Sequence, residues 1–120
     1  MKKWYELADE FEQGLVDLSI KTIKAIHNDS RIPLPIKDQL TRSVTSIGAN
    51  HAEAINAASK KDFRNKLYIA KKEAAESVYW LKIVKKLSDD PKYEDIESEL
   101  LITLKTLQKS VSTLNRKLSK

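Results

Sequence analysis

The sequence predicts an all-α fold: an antiparallel up-down-up-down four-helix bundle forming one domain over residues 1–120. Three observations carry that reading. Apolar residues recur at three- and four-residue steps through four long segments, the period of a helix with one buried face. Only 2 Gly and 3 Pro occur in 120 residues, too few punctuators for the strand ends of a sandwich or barrel. The breaks that do occur are short and leave four stretches of similar length, which pack best as neighbours running in alternate directions.

The first helix is expected over about residues 4–27, with Trp4, Leu7, Ala8, Phe11, Leu15, Leu18, Thr22 and Ala25 on its buried stripe. Its acids (Glu6, Asp9, Glu10, Glu12) come early and Lys21 and Lys24 late, which suits the helix dipole. Asn28-Asp29-Ser30, then Pro33 and Pro35, end it, because proline lacks an amide donor and restricts the residue before it.

The second helix is expected over about 35–58, with Ile36, Leu40, Ser43, Val44, Ile47, His51, Ala54, Ile55 and Ala58 on one face. It is rich in small residues and carries Gly48 mid-helix, a cost of about 1 kcal/mol against alanine. That cost suggests close approach of a neighbouring backbone at Gly48.

Ser59 is placed to cap a third helix over about 60–87, with Asp62 in the capping-box position. Its core stripe is Phe63, Leu67, Ala70, Ala74, Val78, Leu81 and Val84. Ser88-Asp89-Asp90-Pro91 breaks the chain before a fourth helix over about 93–118. There Tyr93, Ile96, Leu100, Leu104, Leu107, Val111, Leu114 and Leu118 form the core line.

Composition narrows function by exclusion. The chain has no Cys, which removes thiol catalysis, disulfides and Cys-ligated zinc. His27 and His51 are the only histidines, with neither a His-x-x-x-His pair nor a Glu-x-x-His pair. No Gly-x-Ser-x-Gly elbow and no Gly-rich phosphate loop occurs. The expectation is a protein that is not an enzyme and uses no cofactor or metal. A catalytic reading would need a deep pocket joining His51 to Glu53 or Glu73. Lys2 and Lys3 are followed by acidic residues, unlike a signal peptide, and no apolar run approaches a membrane span. A cytoplasmic location without a membrane partner is expected.

The third helix has two features that a lone bundle does not need. Ile69, Trp80, Ile83 and Leu87 form a second apolar stripe beside the core line, as expected of an oligomer contact. The charge is also concentrated there. The chain has a net charge of +5, and residues 60–87 hold nine basic and three acidic side chains. At about 100° per residue, Lys61, Arg64, Lys71, Lys72, Lys82 and Lys86 share one sector with Tyr68 and Tyr79. Cations interleaved with aromatic rings suit phosphates and stacked bases. RNA or DNA is therefore the leading partner class. The alternative is a protein-interaction scaffold that offers the same face to an acidic protein.

Residues 39–54, Gln-Leu-Thr-Arg-Ser-Val-Thr-Ser-Ile-Gly-Ala-Asn-His-Ala-Glu-Ala, are similar to a family signature written QLxRSxTSIGANIAEA. Residues 59–81 resemble the same family's SKKDFxxKLxIAxKEAxExxYWL helix. The family is that of the small four-helix-bundle proteins named for 23S rRNA intervening sequences, which includes accessory variability proteins of diversity-generating retroelements. The resemblance implies a left-handed bundle assembling into a ring-shaped homopentamer. In the retroelement branch it implies nucleic acid and a reverse transcriptase as partners of a basic surface. By position, Arg42, Ser46, Asn50 and Glu53 match the signature polar residues of the second helix, and Lys60, Asp62, Lys71, Glu73, Glu76 and Trp80 those of the third. No catalytic residue is implied. His51 departs from an aliphatic in the pattern, and Val44 from a small residue. Read physically, Gln39, Arg42, Ser46, Asn50 and Glu53 form a polar line flanking the core. That line is expected to meet Glu73 and Glu76, pairing Arg42 and hydrogen-bonding Asn50.

Overall fold

Four helices form where the periodicity places them. The computed structural model describes residues 1–119, with α1 at Trp4–His27, α2 at Leu34–Ile55, α3 at Lys60–Ser88 and α4 at Lys92–Leu118. Each is bounded by local chemistry. Glu6 accepts a hydrogen bond from the Lys3 amide at the start of α1 (3.2 Å). Pro35 occupies the first turn of α2, where its missing N–H costs nothing. Ser59 Oγ accepts from the Asp62 amide (3.0 Å), as expected of the α3 cap. Asp89 closes α3 in the left-handed conformation (φ 59°), its amide bonded to the Lys85 carbonyl.

The second helix ends three residues earlier than the periodicity suggests, at Ile55. The Asn56 side chain donates to the Ala52 carbonyl (2.9 Å), a local bond that competes with helix continuation. Ser59 must also be extended to cap α3 (φ −148°, ψ 164°). Ala58 therefore lies outside the helix.

Contacts between helices run antiparallel all round the bundle. His51 meets Glu12 while Val44 meets Ser19. Glu53 pairs with Lys66 while Ser43 touches Ser77. Arg64 reaches Asn115 while Lys85 reaches Glu97. Neighbours are α1–α2, α2–α3, α3–α4 and α4–α1, with the other two pairs across the diagonals. The four-helix all-α architecture is therefore observed, as a body of 49 × 29 × 20 Å.

The core sits on the expected stripes, with Leu40, Ile47, Leu81, Ile96 and Leu100 all 1 % exposed or less. The α2–α3 seam is the most intimate. Ala54, Ala70 and Ala74 are buried there, and Ser77 Oγ lies 2.9 Å from Ser43 Oγ, both side chains fully enclosed. These small residues let the two helices approach closely, which accounts for the composition of α2.

Three expectations about packing fail, the first at Leu118, placed on the α4 core line but 39 % exposed. Trp4 and Leu7 are 68 % and 53 % exposed rather than buried. Across from them α4 presents Thr106 and Ser110, which leave a cavity instead of core side chains. Gly48 does not accommodate a neighbouring backbone. A Cβ added there would meet Leu15 Cβ at 3.5 Å, an ordinary contact.

Candidate nucleic-acid interface

The basic sector of α3 emerges with its cations largely unspent. Among the described residues, Lys61, Lys71, Lys72, Lys82 and Lys86 form no ion pair. The other lysines of the helix with resolved partners face its neighbours. Lys66 pairs with Glu53 (3.6 Å) on the α2 side. Lys85 pairs with Glu97 (2.7 Å) and Glu94 (3.1 Å) on the α4 side, and these bonds raise its pKa. The projection that left both residues out of the site agrees with this placement.

Arg64 is half-buried and donates to the amide oxygens of Asn115 (3.1 Å) and Asn65 (2.7 Å). Neither acceptor neutralises its charge. Arg64, Asn65, Tyr68 and Asn115 line a shallow concavity of about 320 Å³. The two tyrosines differ. Lys71 Nζ lies 4.5 Å over the Tyr68 ring and Lys72 Nζ 5.9 Å, so the chain's own cations cover that ring. Tyr79 is 58 % exposed, with its ring 5.1 Å from that of Trp80 in a T-shaped arrangement and no lysine over it among the described residues. Of the two rings, Tyr79 is the more exposed.

Beside this sector lies the predicted polar line. Arg42 pairs with Glu76 and sits 3.8 Å from Glu73, and its guanidinium also donates to Gln39 (3.2 Å). Trp80 Nε1 donates to the same Glu76 oxygen (3.2 Å). Burial, then the neighbouring Glu76 carboxylate, raise the pKa of Glu73, while Arg42 and Lys72 act in the opposite sense. Glu73 Oε2 is enclosed without a hydrogen-bond partner. Arg42 thus meets both carboxylates, as expected. Asn50 does not: its amide donates to the Ser46 carbonyl of its own helix (2.8 Å), and Ser46 Oγ donates to the Arg42 carbonyl (2.7 Å). One turn separates each pair, so these side chains are satisfied without crossing the seam. Glu53 turns to Lys66 instead.

Sequence reasoning treated Asp29 as part of a helix stop and missed its role. Its side chain is 2 % exposed. Oδ1 accepts from the Arg31 amide (3.1 Å) and Nε (2.9 Å), and Oδ2 from Ser88 Oγ (2.8 Å) and Tyr93 Oη (2.8 Å). Arg31 in turn donates to the Ser88 carbonyl. The α1–α2 loop is thereby latched to the α3–α4 turn. The Arg31 bonds chiefly, helped by Tyr93 and Ser88, hold the Asp29 carboxyl well below the usual range. Burial and the adjacent carboxylate push Tyr93 up. The only sequence signal was an acid followed two residues later by arginine.

No catalytic constellation follows the expected pattern. His51 lies against a cavity, but its carboxylate partner is Glu12 at 3.2 Å, not Glu53 or Glu73. Among the described residues there is no cluster of three potential metal ligands, and no helix is long and apolar enough to cross a membrane.

Comparison with known proteins agrees with this architecture. A crystal structure of a protein of unknown function from the S23 ribosomal protein family of Bacteroides thetaiotaomicron is similar, with a TM-score of 0.75 and 32% identity. The match covers 83% of this chain and 96% of that one. No functionally curated protein matches the sequence. The family model described as 23S rRNA-intervening sequence protein matches residues 5–111. With the bundle and the signature residues in place, the chain belongs to the 23S rRNA-intervening sequence protein family.

Proposed function

We propose that this protein is a non-enzymatic, homo-oligomeric helical bundle that binds RNA or DNA through the basic sector of α3. One observation carries the reading: five lysines without carboxylate partners share a face with the exposed Tyr79. From Lys61 to Lys86 the sector extends about 38 Å at 1.5 Å per residue, close to one turn of duplex, about 34 Å. Self-assembly is supported by the apolar flank of α3, where Ile69 and Leu87 are exposed beside half-buried Trp80 and Ile83. A ring of five, as the family resemblance implies, would repeat the basic sector around its circumference.

Equilibrium binding to duplex DNA and to structured RNA over a salt series tests the proposal. Six phosphate contacts correspond to a slope of about −5 in log Kobs against log salt. Replacing Lys72 or Lys82 with alanine lowers that slope by about one unit each. Lys85→Ala leaves it unchanged, because Lys85 is bound to Glu94 and Glu97. Absent or salt-insensitive binding rejects the reading. Capture of an acidic protein that survives nuclease treatment would then favour a scaffold. Sedimentation equilibrium tests self-assembly separately.

A further inference from the structure

The cavity where α1 meets α4 is roofed by the two residues that escape the core, Trp4 and Leu7, and has a volume of about 350 Å³. Phe11, Ile55 and Phe63 supply apolar walls, and His51 is the ionisable side chain among its lining residues. An apolar protein cavity of about 150 Å³ holds one benzene ring, so this one has room for two fused rings. The cavity is open to solvent on one side, which provides access.

His51 makes the cavity more than a packing gap. The side chain is 6 % exposed, with the ring 5.1 Å from Phe11 in an edge-on arrangement. Nδ1 lies 3.2 Å from a Glu12 carboxylate oxygen, which can only accept while ionised, so the hydrogen belongs on Nδ1. With the hydrogen on Nδ1, Nε2 is the acceptor atom of the uncharged ring. Nε2 makes no hydrogen bond among the described residues and is not a sealed atom, and His51 lines the cavity. The nearby hydroxyls do not compete for it: Thr106 Oγ1 donates to the Ile102 carbonyl and Ser110 Oγ to the Thr106 carbonyl. Nε2 is thus an acceptor in a mostly apolar lining, without a donor among the described side chains.

We propose that this cavity binds a small, largely apolar molecule of about two fused rings bearing one O–H or N–H group, which His51 Nε2 accepts. None of the basic-sector residues lines the site, and the proposal does not depend on nucleic-acid binding. Glu12 acts as a positioning residue, fixing the imidazole tautomer and ring orientation.

The test titrates 2-naphthol, and naphthalene as its donor-free counterpart, into the full chain labelled with nitrogen-15. With only two histidines, the ring signals of His51 and the exposed His27 are separately readable. Saturable shifts of His51 but not His27 are expected. Naphthalene should bind about fivefold more weakly, the worth of one net hydrogen bond. His51→Leu removes that preference while retaining naphthalene binding, read by thermal shift. Ser110→Phe fills the cavity from α4 and abolishes binding of both, with helicity intact by circular dichroism. The absence of a saturable His51 shift in the folded protein overturns the proposal, as does undiminished binding by a folded Ser110→Phe variant.

Discussion

Replacing Asp29 with alanine removes the acceptor that ties the two loops at one end of the bundle. The cost follows from which donors can find another partner. Tyr93 Oη lies 3.1 Å from the Ala25 carbonyl and can turn to it. The Arg31 side chain is about half exposed and can rehydrate, so its pairing adds little. Ser88 is 3 % exposed, and exchanging its bond to a charged acceptor for one to the carbonyl a turn earlier in α3 costs about 1–2 kcal/mol. Loss of the Arg31 amide bond and of the charge-assisted Tyr93 bond adds about 1 kcal/mol. The total is about 2–3 kcal/mol, at or just below the lower end of what breaking a buried pair costs. For a domain of this length that lowers Tm by about 8–12 °C.

Thermal and urea unfolding of wild type, Asp29→Ala and Asp29→Asn measure the loss. The folded-state pKa of Asp29 lies below its unfolded value, so the folded state binds fewer protons and this group's contribution is complete above about pH 5. It declines as pH falls through the unfolded value near 4. The wild type should therefore lose stability more steeply on acidification than either variant, and the curves should converge. A loss under 1 kcal/mol at pH 7, or parallel acid limbs, would refute the latch.

Gly48→Ala and Gly14→Ala should each stabilise the protein by about 0.5–1 kcal/mol, since Gly48 has ordinary space and Gly14 nothing within 4 Å; urea midpoints check this. Arg42→Ala should cost about 1 kcal/mol at pH 7, a modest value because Arg42 is 53 % exposed. That loss should shrink on acidification, as Glu73, whose pKa is raised in the folded state, takes up a proton and stops repelling Glu76. Glu73→Gln should be no less stable than wild type at pH 7, because folding disfavours its ionised form; a clear loss would show the Arg42 contact outweighs burial. Ser43→Ala should destabilise by no more than about 1 kcal/mol, because the enclosed Ser77 hydroxyl keeps the Glu73 carbonyl as an acceptor (2.9 Å), read by differential scanning calorimetry.

Much of the candidate interface was legible because a helix translates spacing directly into direction. Lys61, Lys72, Lys82 and Lys86 fall on one exposed face in the structure as the 100° projection places them. What the projection could not show was which aromatic ring stays open. Tyr68 is covered by Lys71 one turn on, while Tyr79 is not covered by any lysine described. That difference lies in side-chain conformation, which spacing does not encode. The Asn50 expectation failed for a related reason: a carbonyl one turn back is always within reach in a helix, and it outcompeted a carboxylate across the seam.

The four helices, their approximate ends, the Ser59 cap and the concentration of charge on α3 are properties of the sequence alone. They depend on periodicity and on chemistry within a few residues, and both are written along the chain. The Asp29 latch joins residues 59 and 64 positions apart, and the Glu12–His51 pair joins two different helices. Those meetings exist only once the helices have packed. So does the cavity beneath Trp4 and Leu7, which the stripe on α1 placed in the core. A stripe marks the side on which a residue can be buried; whether it is buried depends on the side chain opposite, and there α4 offers Thr106 and Ser110.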